Sequence, residues 1–352
     1  MDRRTFQTLA LRAAASRIIS QDNSAASKPR IKIGQIGTRH AHAGGQLAAL
    51  RKCDDFEVVG IVEPDEEQRR RAEKSPDFAG LRWMTEEELL NTTGLQAVAV
   101  ETHVGGLLEH AERVVNAGLH LHLDKPAGES LPHFKRILDT ATKNQRLVKM
   151  GYMFRFNPAF QLCFEALKQG WLGKVFSIHT EMSKQAPASE RKNLLPYKGG
   201  SMFELGCHII DAAVWVLGRP EHVTSFPRSF PDDGFNDNML AVLEYPQATV
   251  TVRSALMEVD GGARRQFIVC GDQGTCEIRK LDGPMMTLAL DRPRGAYHKG
   301  SQEVKLPPAP RYEKDWAAFA KAIRSEMEWP WKPEHDLAVQ ETVLLASGMP
   351  LT

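Results

Sequence analysis

An alternation that runs from Ile31 to Gly151 constrains the fold most: short apolar runs separated by helical patterns. Ile31-Lys32-Ile33-Gly34-Gln35-Ile36-Gly37 reads as a strand entering a glycine turn, and a small-residue helix follows over Ala41 to Leu50. Phe56 to Glu63 reads as a second strand that ends in an acid, ahead of Pro64-Asp65 and a highly charged helix through Lys74. A short strand near Leu81-Arg82-Trp83 leads to Thr85-Glu86-Glu87-Glu88, whose hydroxyl and third-position carboxylate form a helix-starting capping box. Gln96 to Val100 is a further strand, Gly105 to Ala117 a helix closed by Gly118, and Leu121-His122-Leu123 a strand. A helix over Leu131 to Lys143 and a last strand over Leu147 to Gly151 complete the set. Strands that are apolar throughout are buried on both faces, and helices between them act as crossovers, so residues 30–151 predict a doubly wound parallel sheet.

Such sheets bind ligands at the carboxyl ends of their strands. A glycine turn after the first strand, with an acid at the tip of the second, suits a dinucleotide: pyrophosphate at the helix N-terminus, ribose hydroxyls on the acid. Glu63 therefore favours NAD over NADP, since a carboxylate repels a 2′-phosphate. Gly37 is present, but the next two glycine positions of the Gly-x-Gly-x-x-Gly fingerprint hold Arg39 and His42. Two readings of Arg39 stand: its guanidinium contacts the pyrophosphate, or it fills the space where that group would lie. His40 and His42 are either turn and helix-start histidines or contacts to substrate or metal.

The fourth strand ends in Asp124-Lys125-Pro126. Pro126 forbids easy continuation, so Lys125 projects from the carboxyl edge. It is either one more solvated lysine or an ammonium that polarises a carbinol or carbonyl oxygen.

After Gly151-Tyr152-Met153-Phe154-Arg155-Phe156-Asn157-Pro158 the texture changes. A helix over Ala159 to Gln169 is followed by alternating runs at 175–181, 239–245, 249–255, 266–270, 275–280 and 286–290, the pattern of a large, mostly antiparallel sheet. If its open face is apolar enough, it pairs subunits, and a homo-oligomer is expected. Between helix and sheet, Glu204, His208 and Asp211 stand four and three residues apart, on one face of a helix. A carboxylate beside an imidazole favours the protonated form and holds its tautomer, as general acid/base work requires; the competing reading is a structural pair in a core helix.

These residues together resemble the Gfo/Idh/MocA oxidoreductases, a family named for glucose-fructose oxidoreductase, inositol dehydrogenase and the rhizopine catabolism protein MocA. The family's Glu-Lys-Pro signature is matched by Asp124-Lys125-Pro126, its Gly-Tyr-x-x-Arg-Phe-x-Pro stretch by Gly151 to Pro158, and its glycine-rich run into Asp-x-x-x-His-x-x-Asp by Gly199 to Asp211. The resemblance covers the chain from about Ile31 onward and implies a Rossmann-type domain joined to an α+β domain over 152–352, with Tyr312 to Leu345 returning to the first domain. It implies Lys125, His208 and Glu204 as catalytic residues, with Glu204 orienting His208. Gly34, Gly37, Thr38, Arg39, His40, Glu63, Thr102, Asp124 and Lys125 would hold NAD, NADP being the lesser choice. Tyr152, Arg155, Asn157, Tyr197, Lys198 and Asp211 are the substrate-binding expectation. Departures are Arg39 and His42 in the glycine fingerprint, Thr102-His103-Val104 where Thr-Pro-Asn is usual, and Glu204 in place of aspartate.

The implied reaction oxidises a secondary alcohol of a sugar, cyclitol or polyol, or reverses that step. A second reading keeps NAD bound and recycles it through an elimination, epimerisation or glycoside cleavage. A third is a binding protein, or a metal site drawn from His40, His42, His103, His122 and Asp124, although these spacings match no recognised metal motif and no metal ligands are assigned.

Composition excludes other classes. Lys+Arg number 45 against Asp+Glu 44, net charge +1, so neither nucleic acid nor an acidic membrane is expected as a partner. Five scattered cysteines read as buried thiols with no disulfide framework. Arg3-Arg4-Thr5-Phe6 resembles a twin-arginine export signal, yet Arg12 and Arg17 interrupt the apolar stretch behind it, and residues 20–29 read as a polar linker. Export and a cytoplasmic location both stand for this leader, residues 1–29.

Overall fold

The computed structural model describes residues 28–352 apart from 232 and 309, so the leader motif lies outside the described residues. The first half forms β1 (Ile31–Ile36), α1 (Ala43–Lys52), β2 (Phe56–Val62), α2 (Glu66–Ala72), α3 (Glu86–Leu90), β3 (Leu95–Val100), α4 (Val104–Asn116), β4 (His120–Leu123), α5 (Leu131–Lys143) and β5 (Val148–Met150). The strands order β2-β1-β3-β4-β5, with every pair parallel. The chain leaves β1 toward β2 on one side and returns to β3 on the other, so β1 and β3 flank the point where the order reverses, the ligand-binding crevice of such sheets. Thr85 and Glu88 make both hydrogen bonds of the capping box at α3. The strand expected near Trp83 shrinks to a single bridge with Ile61.

The second half adds α6 (Pro158–Lys168), β6 (Val175–Glu181), α7 (Ala188–Leu194), a π-helical turn over Met202–Gly206, α8 (Cys207–Leu217), β7 (His222–Arg228), β8 (Asn238–Tyr245), β9 (Ala248–Ala255), β10 (Gln266–Gly271), β11 (Gly274–Arg279), β12 (Met285–Leu290) and β13 (Gly300–Lys305). The eight strands order β13-β12-β11-β10-β6-β9-β8-β7, antiparallel except where β6 meets β9. Alternation puts Ile178, Val250, Val252, Phe267 and Val269 on the face that α6 and α8 cover. On the other face the cross-strand partners Phe226 and Leu240 are exposed. The edge strands β7 and β13, which the sequence pattern did not suggest, carry a proline and a row of polar residues, both tolerated where one side of the ladder is unpaired.

In the last segment, α9 (Glu313–Ile323) covers the first sheet's open face, and α10 (Pro333–Ala346) packs against α5, α8 and β7. Trp316 and Phe319 of α9 pack with Ile31, Ile33, Phe56, Ala97 and Ala99. From α10, Gln340 accepts the Ala127 N–H at 3.1 Å and donates to the Gly128 carbonyl at 2.6 Å, pinning the loop behind Lys125. All five cysteines are free; Cys163, Cys207 and Cys276 are buried, while Cys53 and Cys270 are half-buried. Among the described residues no helix is long and apolar enough to cross a membrane.

Candidate active site

The turn from β1 into α1 is shaped by Gly37, whose φ is +96°. A Cβ there would lie 2.5 Å from the Thr102 nitrogen and 2.6 Å from the Glu101 carbonyl carbon, so only glycine lets the turn press against the end of β3. Thr102 thus seats the turn with its backbone. Glu63 braces it from the tip of β2: one oxygen accepts the Thr38 N–H and hydroxyl, both at 2.7 Å, and the other accepts the Asp65 N–H at 3.0 Å. Gly34 serves packing, since a Cβ would meet Leu89 at 2.3 Å.

A cavity of about 420 Å³ opens from this turn. Arg39, His40 and Ala41 form its floor; Asp65, Glu67, Gln68 and Arg71 form one wall; Glu190, Asn193 and Leu194 of α7 form the opposite wall; and His103, Tyr197 and Glu204 close the inner end. The α7 wall was not legible: Pro187-Ala188-Ser189-Glu190 is a plausible helix start, but the segment is short and polar.

Behind the inner end, Lys125 is 1% exposed. Its ammonium donates to the Glu204 carbonyl at 2.8 Å and to Glu204 Oε1 at 3.0 Å. Burial opposes the charge, but Glu204 and then Cys207 and Asp124 outweigh it and hold Lys125 above the ordinary lysine range. Burial raises the Glu204 carboxyl, and Lys125, foremost among its neighbours, brings it below its ordinary value. Glu204 therefore serves Lys125, where the sequence spacing suggested His208. The π-helical turn over Met202–Gly206 is the reason: its wider winding breaks the i,i+4 alignment of Glu204 with His208.

Among the described residues His208 has no carboxylate partner. Its Nδ1 faces the Met153 N–H at 3.4 Å, and its ring lies among those of His42, Tyr152 and Phe154. Burial, then Lys125 and His42, hold it well below the ordinary histidine value, so the imidazole is neutral. This reverses the expectation of a protonated histidine.

Of the expected substrate contacts, Tyr197 lines the cavity. Arg155 and Asp211 are buried and bound to each other, Nη2 to Oδ1 at 2.7 Å, with Asp336 on the same guanidinium and His335 Nε2 at 3.1 Å from Asp211. Tyr152 lies under that guanidinium, 5.0 Å from ring centre to Cζ. Asn157 caps α6 through the Ala159 N–H at 2.9 Å. Lys198 points outward to Glu129 at 3.1 Å. Arg155, Asp211, Tyr152 and Asn157 make their contacts within the second half, and none of the five lines the cavity.

Residues 31–152 match the oxidoreductase family with an NAD-binding Rossmann fold, and residues 160–277 match the GFO/IDH/MocA C-terminal domain. The chain belongs to the Gfo/Idh/MocA oxidoreductases. Uncharacterized oxidoreductase YhhX of Escherichia coli (strain K12) is 28% identical over 236 residues, 64% of this chain and 64% of that protein's length. D-xylose 1-dehydrogenase (NADP(+)) 2 of Haloferax volcanii is 24% identical over 315 residues, 88% of this chain and 94% of that one. The aldose-aldose oxidoreductase of Caulobacter crescentus, solved with glycerol, superposes with a TM-score of 0.75 at 17% identity, covering 91% of this chain and 98% of that one. As a Gfo/Idh/MocA enzyme, the protein is an NAD(P)-binding oxidoreductase. Its turn fits such a cofactor: the Gly37 position leaves no room for a side chain, the α1 N-terminus follows, and Arg39 and Arg71 face the cavity that runs from Glu63's neighbours to Glu204.

Beneath the site of this Gfo/Idh/MocA chain, Lys149 is buried 4.2 Å from the Trp316 ring centre and 3.1 Å from His122 Nδ1. Burial lowers it from 10.5 to about 8 despite Asp315 and Glu101. An unfolded lysine keeps its ordinary value, so between about 8 and 10.5 the unfolded chain binds more protons and stability rises with pH. The gain relative to Lys149→Met is on the order of 3 kcal/mol over that window. Thermal unfolding of both proteins from neutral to alkaline pH measures it: wild type should gain on the variant, and parallel curves would refute the burial effect.

Proposed function

We propose that the protein oxidises a secondary alcohol of a sugar, cyclitol or related polyol, or reduces the corresponding ketone, with NAD as its cofactor. The observation that carries this reading is the buried Lys125 ammonium, held charged by Glu204 at the inner end of a cavity that starts at the dinucleotide turn. Such an ammonium donates to an oxygen on which negative charge develops. His208, neutral and packed beside His42, takes the hydroxyl proton on oxidation and returns it on reduction. Glu204 positions Lys125. Because Glu204 and Tyr197 form the cavity wall in front of Lys125 and His208, the substrate reaches these two by displacing that wall. The nicotinamide, when bound, supplies hydride acceptance or donation. The Gly37–His40 turn, Glu63 and Arg39 would hold the dinucleotide, and the Glu63 carboxylate supports NAD over NADP by repelling a 2′-phosphate.

The test begins with freshly purified protein, denatured and examined by mass spectrometry for released nucleotide. NAD and NADP are then titrated against wild type and Glu63→Ala, and sugars and polyols are screened for reduced-nucleotide formation. Wild type is expected to prefer NAD, with the preference shifted toward NADP by about tenfold in Glu63→Ala. A wild-type preference for NADP would overturn the cofactor assignment. Failure to bind either nucleotide would overturn the function.

A further inference from the structure

We propose that His40, His42 and Asp124 form a binding site for one divalent transition-metal ion of the zinc class, a role that goes beyond the hydride chemistry and does not depend on it. One ligand atom from each of the three residues can be chosen so that all lie within 4.8 Å of one another. His42 Nδ1 is 3.4 Å from Asp124 Oδ1, and His40 Nδ1 contacts Asp124 Oδ2. The sheet order brings them together. His40 and His42 leave the end of β1, Asp124 follows β4, and β3 lies between those strands with Glu101 just past its end.

The three donors are anchored by neighbouring backbone groups, and His40 Nδ1 itself accepts the His42 N–H at 3.3 Å. The His40 N–H donates to the Glu101 carbonyl at 3.1 Å, and the Asp124 N–H to the Val100 carbonyl at 3.2 Å. Asp124 Oδ1 also accepts the Lys125 N–H at 2.7 Å. Backbone anchoring of this kind orients a metal's ligands from behind.

A second, independent observation points to a cation. Glu101 is fully buried; its Oε1 holds His122 Nε2 at 2.9 Å, while its Oε2, 3.9 Å from His40 Nδ1, accepts no hydrogen bond among the described residues. A buried carboxylate oxygen without a donor is costly, and here it stands beside a second buried carboxylate, Asp124. An ion among His40, His42 and Asp124 would offset the buried Asp124 charge. Two imidazole nitrogens and one carboxylate suit zinc, iron, cobalt or manganese, whereas calcium and magnesium take mainly oxygen. Three protein ligands leave a coordination position open, as in catalytic zinc sites. His40 also borders the cavity.

The experiment uses the full chain. Metal content is measured on protein purified without chelator, and chelator-treated protein is titrated with zinc chloride and manganese chloride by calorimetry and with cobalt chloride by visible absorption. His42→Gln and Asp124→Asn are compared with His133→Ala, which lies on α5 away from the cluster, and thermal unfolding verifies that each variant folds. One equivalent of metal is expected in wild type and in His133→Ala, with affinity reduced about 100-fold or more in His42→Gln and Asp124→Asn. If one variant does not fold, the other decides, and the cobalt spectrum of wild type reports histidine and carboxylate ligation without any variant. No binding of the three metals, or equal binding by wild type and both cluster variants, would overturn the proposal. NAD and NADP titrations of the same chelator-treated protein separate that result from a failure of the oxidoreductase reading.

Discussion

Lys125→Met should lower kcat/KM for the substrate identified by the screen by about 100- to 1,000-fold, the effect of deleting one donor that meets developing charge on oxygen. NAD affinity should stay close to wild type, because the lysine sits beyond the turn and the α2 wall of the cavity. The variant also leaves Glu204 buried with its partner removed, and breaking a buried pair on one side costs about 3–5 kcal/mol. Lys125→Met combined with Glu204→Gln removes the stranded charge, so the double variant should regain stability without regaining activity. Stopped-flow turnover with parallel denaturant unfolding reads the two effects separately. Unchanged kcat/KM in Lys125→Met would remove the ammonium from the mechanism.

Arg155→Met should destabilise the fold by about 3–5 kcal/mol, since it strands Asp211 and Asp336, both buried and both bound to the same guanidinium. Arg155→Lys should recover only part of the loss, because a lysine cannot bridge two carboxylates with a planar fork. Urea unfolding measures both. The result also separates two assignments of Arg155. If Arg155→Met raises KM at wild-type stability, Arg155 contacts substrate as its place in the motif suggested. A loss of stability with KM unchanged in the folded fraction makes it the rivet between the segment after β5, α8 and α10.

The elements that were legible share a physical cause. β3 is buried on both faces and reads as a nearly continuous apolar run, β1 and β4 place Ile31 and Ile33 and then Leu121 and Leu123 at alternate positions, and α4 and α5 carry clear apolar stripes. The Thr85–Glu88 box and the Gly37 turn announce themselves because single residue types meet their local backbone demands. β7 and β13 escaped notice because an edge strand has little apolar surface to reveal it, and α7 because its seven residues, five of them polar, carry no period.

Local chemistry thus sufficed for the parallel sheet, its glycine turn and the presence of Lys125 at a carboxyl edge. Partner choice did not follow from local spacing. Helical spacing paired Glu204 with His208, but one π-helical turn rotated it onto Lys125, 79 residues away. Arg155 and Asp211 lie beside the motifs yet spend their charges on each other and on Asp336, 181 residues from Arg155. His42 and Asp124, 82 residues apart, meet only because β1 and β4 flank β3 in the folded sheet. A buried charge takes whatever partner the packing brings within reach, because leaving it alone costs more than any preference of the sequence around it.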